Sequence, residues 1–452
     1  MPSPLRDYQL EAISRAIPAL KEHGGFLFNH DPGMGKTLEL ITTARLLKVH
    51  RVVVVCPVVA QGVWTRELAR WWPGMPVESA ENEWKILTYD QLRVRGDTLR
   101  ALCEWRPELV VFDEIQYVKN PQADRTKAAA ILRGWSIYCV GLSGTPQHSL
   151  IDLYSEYRIL TGHKVFPFGQ SFSEFKRWLC VFPPGLNFPK KNKHTGELVF
   201  RPGAREAIAK AVEPLTHSAD ASLMNVPEPV VTRIPVELSE AEEVAYGAME
   251  DTLRAELPDG SEAQAEIVLT KLLRLTQITA GHATNTEGDT VTLGTSKLDA
   301  TLELLDERPN QKVVIACRFR ADIAAIMAAL NARGRPCTKI DGGTPARLRT
   351  QYEDWFERGK HDNGVIILQY QAGGVAITLA SARTLILYTL DPSVIRYRQM
   401  IGRVWRLGQR GVVEVLPLIA TGTQDDYCYT ALERGADNAQ IAKLLVRFLH
   451  HR

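Results

Sequence analysis

Short continuous apolar runs punctuate both ends of the chain: "GGFLFN", "RVVVVC", "KILTY", "ELVVFDE" and "WSIYCVGLSG", and later "KVVIAC", "CTKID", "VIILQY", "TLILYT" and "VEVLPLIA". Between them lie stretches whose apolar residues recur every three or four positions, among them "KTLELITTARLLK", "WTRELARWW", "RTKAAAILRG", "SKLDATLELLDE" and "DIAAIMAALNARG". A run of four to six apolar residues without alternation predicts a strand buried on both faces. Such strands interleaved with amphipathic helices predict a parallel sheet covered by helices. Because the pattern occurs twice, the fold class expected is α/β, with two parallel-sheet domains.

Residues 161–295 break this pattern. "KVFPFGQSFSEFKRWLCVFPPGLNFPKKNKH" is aromatic, then proline-rich, then basic, and helical periodicity follows around 239–256 and 262–280. This middle portion is expected to supply helical or irregular insertions riding on the two domains. The aromatic stretch 166–188 suits a small hydrophobic core better than a platform for unpaired bases, while "KKNKH" at 190–194 suits a DNA contact and a solvated loop about equally.

Bulk properties narrow the class. At 452 residues the chain exceeds one ordinary core and fits two or three domains. Charged residues are 23% and apolar residues 45%, no apolar run reaches membrane-spanning length, and "MPSPLRDYQLEAISRAI" lacks the apolar core of a signal peptide. The protein is therefore expected in the compartment where it is made, a cytoplasm, or the nucleus of a eukaryote, with no membrane partner. Seven cysteines are scattered without a Cys-x-x-Cys pair or a histidine at ligand spacing, which predicts reduced thiols and no structural zinc. A net charge of +2 leaves any polyanion to be gripped by local patches.

Candidate chemistry starts at "HDPGMGKT", residues 30–37, between a strand-like run and an amphipathic helix. Gly33 and Gly35 allow backbone N–H groups to turn inward around a polyphosphate at a helix N-terminus, Lys36 reaches the outer phosphates, and Thr37 offers a hydroxyl to Mg²⁺. Residue 30 is His where the longer consensus has Gly. In "ELVVFDEIQ" a buried strand ends in Asp113 and Glu114, at the sheet edge where ligands of open α/β folds collect. Asp113 suits Mg²⁺ and Glu114 suits the activation of an attacking water. Ser143 and Thr145 in "GLSGTP" could relay a hydrogen bond between sites. Arg403 and Arg406 in "QMIGRVWRLGQR" stand three positions apart, which on a helix projects both guanidiniums from one face toward an anion. Alone, that pair suits a solvated basic helix better than an anion site.

The order of these motifs is specific. "LRDYQ", "DPGMGKT", "VVVVCP", "DEIQYVKNPQADRTKAAAIL", "GLSGTP", "QYQAGGVAITLASA" and "QMIGRVWRLGQ", with "KLLRLTQITAGH", "SKLDATLELL" and "VEVLPLIATGTQDDY" between and after them, resemble the Swi/Snf-type branch of the superfamily-two helicase-like ATPases over essentially the whole chain. "SGTPQHSLIDLYSEYRIL" is similar to the compact annealing-helicase members. The resemblance implies two RecA-like lobes: 1–225, with 161–225 as an extension, then a helical bridge or protrusion over 226–295, then 296–452 ending in brace helices. It implies ATP and Mg²⁺ as cofactors, with Arg6 and Gln9 beside Tyr8 where the family reads adenine, and Arg403 and Arg406 facing the γ-phosphate held by Lys36. "CPVVAQGVW", "LTYDQL" and "QAGGVAITL", including Gly373 and Gly374, fall where family members grip the DNA backbone.

The expected activity is that of an ATP-dependent translocase on double-stranded or branched DNA, sequence-independent and monomeric, serving recombination, repair or restriction. A nucleotide-gated DNA scaffold with poor turnover, or a remodeller of a DNA-bound protein such as a polymerase, remain alternatives. Four departures from the family pattern bear on coupling: Gln116 where His is usual, His30 and Asp31 for an acidic pair, Trp405 for His, and "THSAD" at 216–220 without the usual basic pair.

Overall fold

The structure, a computed structural model, describes residues 5–73, 84–92, 96–144, 150–162, 171–191, 198–255, 265–285, 289–373 and 377–435. It divides into two compact units, Met1–Met224 and Asn225–Arg452.

The first unit is built on β1 (Gly25–His30), β2 (Val52–Cys56), β3 (Trp84–Thr88), β4 (Leu109–Asp113), β5 (Tyr138–Ser143) and β6 (Thr216–Ala219). They form one parallel sheet in the order β3-β2-β4-β5-β1-β6. Every side chain of β2 is 0% exposed, which is why its sequence is four consecutive valines rather than an alternating pattern. Full burial of each such side chain is worth about 1.5–3 kcal/mol against exposure. Gly25 admits the carbonyl of Leu160, since a Cβ there would lie 2.2 Å from that oxygen; the helix Leu153–Leu160 can therefore seat directly on β1. Most of the aromatic stretch joins this core. Phe175 in the helix Phe172–Leu179 is fully buried against Tyr154, and Phe172, Trp178 and Phe182 pack on the same cluster, while Phe188 is exposed. Lys190 and Lys191 are exposed, and the remainder of the basic run lies outside the described residues.

The second unit contains β7 (Val230–Val231), β8 (Ile234–Val236), β9 (His282–Thr284), β10 (Thr290–Thr292), β11 (Val313–Cys317), β12 (Cys337–Ile340), β13 (Val365–Gln369), β14 (Thr384–Leu387) and β15 (Glu414–Ala420). Its main sheet runs β12-β13-β11-β14-β15-β7, with β8 also pairing β15, and all these pairings are parallel. Residues 226–295, expected as a helical bridge, hold the helices Glu240–Ala255 and Ala265–Thr279. They also hold the antiparallel β9–β10 pair and the two short strands that edge the main sheet.

A buried ion pair ties the second unit together. Lys297 Nζ lies 2.5 Å from Asp425 Oδ2, with both side chains at most 1% exposed. Around it, Gln424 Nε2 donates to Thr276 Oγ1 at 2.8 Å and the Gln424 N–H donates to the Tyr246 hydroxyl at 2.8 Å. Helices Ser296–Asp306, Ala265–Thr279 and Gln424–Glu433 thus share one polar knot. Removing one partner strands a buried charge, so Lys297→Ala is expected to destabilise the protein by about 3–5 kcal/mol. Removing both charges in a Lys297→Met, Asp425→Leu pair should recover most of that loss. Urea denaturation of the two variants measures the difference; additive losses in the double variant would contradict the ion-pair account.

Candidate nucleotide site

The chain leaves β1 through a loop that only glycine geometry permits. Gly33 has φ 87° and Gly35 has φ 86°, both left-handed, and the helix Lys36–Leu47 begins at once. Lys36 folds back so that Nζ donates to the carbonyls of His30 at 2.7 Å and Asp31 at 3.2 Å. Gly144 at the end of β5 stands over it, a Cβ there falling 3.4 Å from Nζ. Burial draws the Lys36 ammonium below its usual range, against the opposing pull of Glu114, Asp113, Glu39 and Asp31. Thr37 follows as the second residue of the helix.

The N-terminal helix Asp7–His23 anchors the loop. The Tyr8 hydroxyl and Gln9 Nε2 both donate to the Met34 carbonyl, at 2.7 and 3.1 Å, and the Arg6 N–H donates to Gln9 Oε1 at 3.0 Å. Gln9 thus uses both ends of its amide to hold the loop against the start of the helix.

Asp113 and Glu114 leave β4 where β1 and β5 also end. Burial and the neighbouring Glu114 push Asp113 up to about 6, against the Trp64 hydrogen bond and Lys36. Glu114 has φ 58°, a left-handed conformation that costs a non-glycine residue about 1–3 kcal/mol and re-aims its side chain from the strand direction. Gln116 Nε2 donates to Glu114 Oε2 at 2.6 Å, and the Ser143 hydroxyl approaches Gln116 Oε1 at 3.4 Å. Gln116 thus makes, as an amide, a link from the acid to β5. Thr145 lies outside the described residues.

Beneath the loop, two of the sequence departures meet. His30 Nε2 is 2.8 Å from His217 Nδ1, and His30 Nδ1 is 3.0 Å from Glu39 Oε2, off the line of an ideal hydrogen bond. His217 Nε2 reaches toward Glu11 at 3.8 Å. Burial holds His30 down at about 3, with Lys36 adding to the effect, and pushes Glu39 up to about 8. His217 is also lowered by burial and by His30. Protonated Glu39 donating to His30, His30 to His217, and His217 toward Glu11 is the polarity consistent with these directions. A neutral chain thus occupies positions where the family usually carries an acid and a base.

The signs give a pH signature. Glu39 has a raised folded value, so its contribution is present below its ordinary 4.5 and is lost as pH rises toward about 8. His30 has a depressed folded value, so its contribution is present above its ordinary 6.5 and is lost as pH falls toward about 3. The two cancel between 4.5 and 6.5. Glu39→Gln is therefore expected to gain up to about 2 kcal/mol on the wild type between pH 6.5 and 8. Urea midpoints at the two pH values test this, and a constant difference would refute it.

In the second unit the expected helical fork is corrected. Arg403 lies in the last turn of the helix Val394–Val404 and is 8% exposed, but Trp405 is already extended and Arg406 sits beyond the helix end. The Trp405 indole donates to the Pro227 carbonyl at 2.8 Å and Gly408 turns the chain at φ 101°, which together close the helix early. Arg406 Nη1 donates to the Ile377 carbonyl at 3.1 Å. Gly373 ends a short helical turn from Tyr370, and Gly374 lies outside the described residues.

Sequence reasoning missed Trp64, which donates from Nε1 to Asp113 Oδ2 at 2.8 Å, as well as the roles of Glu39 and His217. Among the described residues no group of three or more His, Cys, Asp or Glu side chains could hold a metal ion. Asp113 and the Thr37 hydroxyl are oxygen donors of the kind that would hold a Mg²⁺ arriving with phosphate oxygens. Among the described residues no helix is long and apolar enough to cross a membrane.

Comparison with known proteins places the chain. A model of the SNF2-related domain matches residues 8–283, and one of the helicase conserved C-terminal domain matches residues 296–408. The chain belongs to the SNF2-related family. It is 26% identical over 95% of its length to a SWI/SNF-related matrix-associated actin-dependent regulator of chromatin subfamily A-like protein 1 homolog of Caenorhabditis elegans, spanning 60% of that protein. It is 25% identical over 93% of its length to an uncharacterized ATP-dependent helicase of Mycoplasma genitalium, spanning 40% of that protein. The chain thus covers less than two thirds of the length of either relative. Among solved structures, a Sulfolobus solfataricus SWI2/SNF2 ATPase core in complex with dsDNA aligns over 100% of this chain and 95% of its own, at 23% identity and a TM-score of 0.45.

Proposed function

We propose that the protein is a DNA-stimulated ATPase that converts Mg²⁺-ATP hydrolysis into movement along double-stranded or branched DNA. The observation that carries this reading is the convergence in the first unit of a glycine loop, Lys36 and the Asp113–Glu114 pair, within a chain of the SNF2-related family. Lys36 and the loop amides bind the phosphates, Arg6 and Gln9 face the base, and Mg²⁺ supplies charge neutralisation between Asp113, Thr37 and the phosphate oxygens. Glu114 orients and deprotonates the attacking water, and Arg403 with Arg406 stabilises charge on the transferring phosphoryl group. Recombination, repair or restriction is the process proposed, with the protein working as a soluble monomer beside DNA.

DNA contact should be through phosphates and independent of sequence, because "CPVVAQGVW", "LTYDQL" and "QAGGVAITL" offer backbone amides, hydroxyls and glycines suited to phosphates. The test is the steady-state ATPase rate without nucleic acid and with length-matched single-stranded, duplex, branched and RNA ligands at one salt concentration. Duplex stimulation is expected, with apparent affinity falling by a log–log slope of about −0.9 per phosphate neutralised. Stimulation by single-stranded DNA or RNA alone would overturn the duplex reading.

A further inference from the structure

Asp113 is held from two sides by residues that the nucleotide reading leaves without a role. On one side, the Trp64 indole donates from Nε1 to Asp113 Oδ2 at 2.8 Å. Trp64 is 1% exposed, on the helix Gln61–Trp71 that follows β2, and its ring leans on Trp84 of β3 at 6.3 Å between centroids. On the other side, the Tyr89 hydroxyl donates to the backbone carbonyl of Asp113 at 2.9 Å and approaches that of Glu114 at 3.4 Å. Tyr89 is buried and stacks on Tyr117 at 5.0 Å with 10° between the rings, so it also backs the turn that follows Glu114.

An indole N–H packed in a core needs some acceptor, and a carbonyl would serve. Here it is aimed at the carboxylate that ends β4. It also fixes the carboxylate rotation, since one oxygen is committed. The Glu114 backbone N–H also donates to this carboxylate, and Trp64 is the side chain that takes Oδ2. A donor fixed in the core in this way is how proteins orient a ligating carboxylate toward a cation.

We infer that Trp64 and Tyr89 are positioning residues for the magnesium-binding acid: Trp64 sets the rotation of the Asp113 carboxylate so that Oδ1 is presented to the ion, and Tyr89 sets the height of its backbone. This rests on the reading of Asp113 as the Mg²⁺ ligand of bound ATP. Trp64 lies in "CPVVAQGVW" and Tyr89 in "LTYDQL", so both segments resembling DNA-gripping motifs end in a hydrogen bond to the same residue. Displacement of either segment by a bound duplex would therefore move Asp113 directly.

The test is equilibrium binding of methylanthraniloyl-ATP to the full chain, titrated with Mg²⁺ and repeated in EDTA, for wild type, Trp64→Phe and Tyr89→Phe. Phenylalanine keeps an apolar ring in each place; in Tyr89→Phe it removes only the hydroxyl, and in Trp64→Phe it removes the donor together with part of the indole. For Trp64→Phe the Mg²⁺ concentration at half-effect should rise about 10-fold or more, within the 10–100-fold range for residues that orient metal ligands. Affinity in EDTA should stay at the wild-type value. Tyr89→Phe, which loses a single hydroxyl and is the safer variant for folding, should shift the Mg²⁺ midpoint in the same direction. An unchanged Mg²⁺ midpoint in Tyr89→Phe and in any folded Trp64→Phe would overturn the inference, as would an equal loss of affinity in EDTA, the mark of a general packing defect. Wild-type binding that ignores Mg²⁺ would instead overturn the reading of Asp113 on which it rests.

Discussion

Replacing Lys36 with alanine is expected to abolish ATP hydrolysis while leaving the protein folded. The ammonium is the cation the loop itself presents, and the site holds Asp113, Glu114 and Asp31 near it. Taking it away removes the point charge on the outer phosphates and leaves those carboxylates to repel the incoming polyphosphate. Loss of one such transition-state contact alone costs about 10²–10³ in rate, so turnover should fall by at least that factor. Fold should persist because the lysine's partners within the loop are two backbone carbonyls rather than a buried carboxylate, and because Tyr8 and Gln9 hold Met34 independently. Phosphate release and thermal unfolding, measured on the same preparation, separate the two effects. Hydrolysis at the wild-type rate would mean that the phosphate loop lies elsewhere.

Glu114→Gln should behave in the opposite way toward nucleotide. The amide keeps the size of the side chain and can still meet Gln116, whose Nε2 now donates to Glu114 Oε2 at 2.6 Å, but it cannot accept a proton from water. Loss of a general base costs about 10²–10⁴ in turnover. ATP affinity should hold or rise, since one negative charge beside the phosphates disappears. Single-turnover hydrolysis together with equilibrium nucleotide binding tests this. Parallel loss of affinity and rate would remove Glu114 from the role of base and leave it a structural part of the left-handed turn.

Much of this was legible in the chain. Continuous apolar runs such as "RVVVVC", "ELVVFDE" and "KVVIAC" became buried parallel strands because a strand covered on both faces has no polar side to alternate with. β6 was missed because "THSA" is short and half polar; it is a strand only because β1 offers it an edge. β7 and β8 were missed for a related reason, being two and three residues long and separated around Thr232 and Arg233, with Pro235 inside the second. Their stability comes from β15, far along the chain, and no local pattern reports that.

The site shows the same division. Loop, lysine and acids are contiguous motifs whose residue types carry their chemistry, whereas Trp64–Asp113 and His30–His217 are contacts between distant segments. The histidine pair was visible only as two unrelated departures, at 30 and at 217, and the structure makes them one neutral hydrogen-bonded unit. Arg403 and Arg406 do not share a helix because helical spacing was extended past a helix end at Val404, where Trp405 makes a contact of its own.

The pairing of β1 with β6 has a consequence for how the protein is made. Leu27 is matched to Thr216 and His30 to Ala219, so the strand that leads into the phosphate loop is completed by the last strand of its unit. At roughly 5–20 residues per second of synthesis, on the order of ten to forty seconds pass between the emergence of the two strands. Throughout that interval the nascent chain can stack β2, β3, β4 and β5 beside β1, yet His30 has no His217 and Asp31 has no Ala221 amide to accept from. The phosphate loop of a half-made chain therefore lacks its floor, and competence to bind nucleotide should arise late and abruptly on the ribosome, once residue 221 has cleared the exit tunnel.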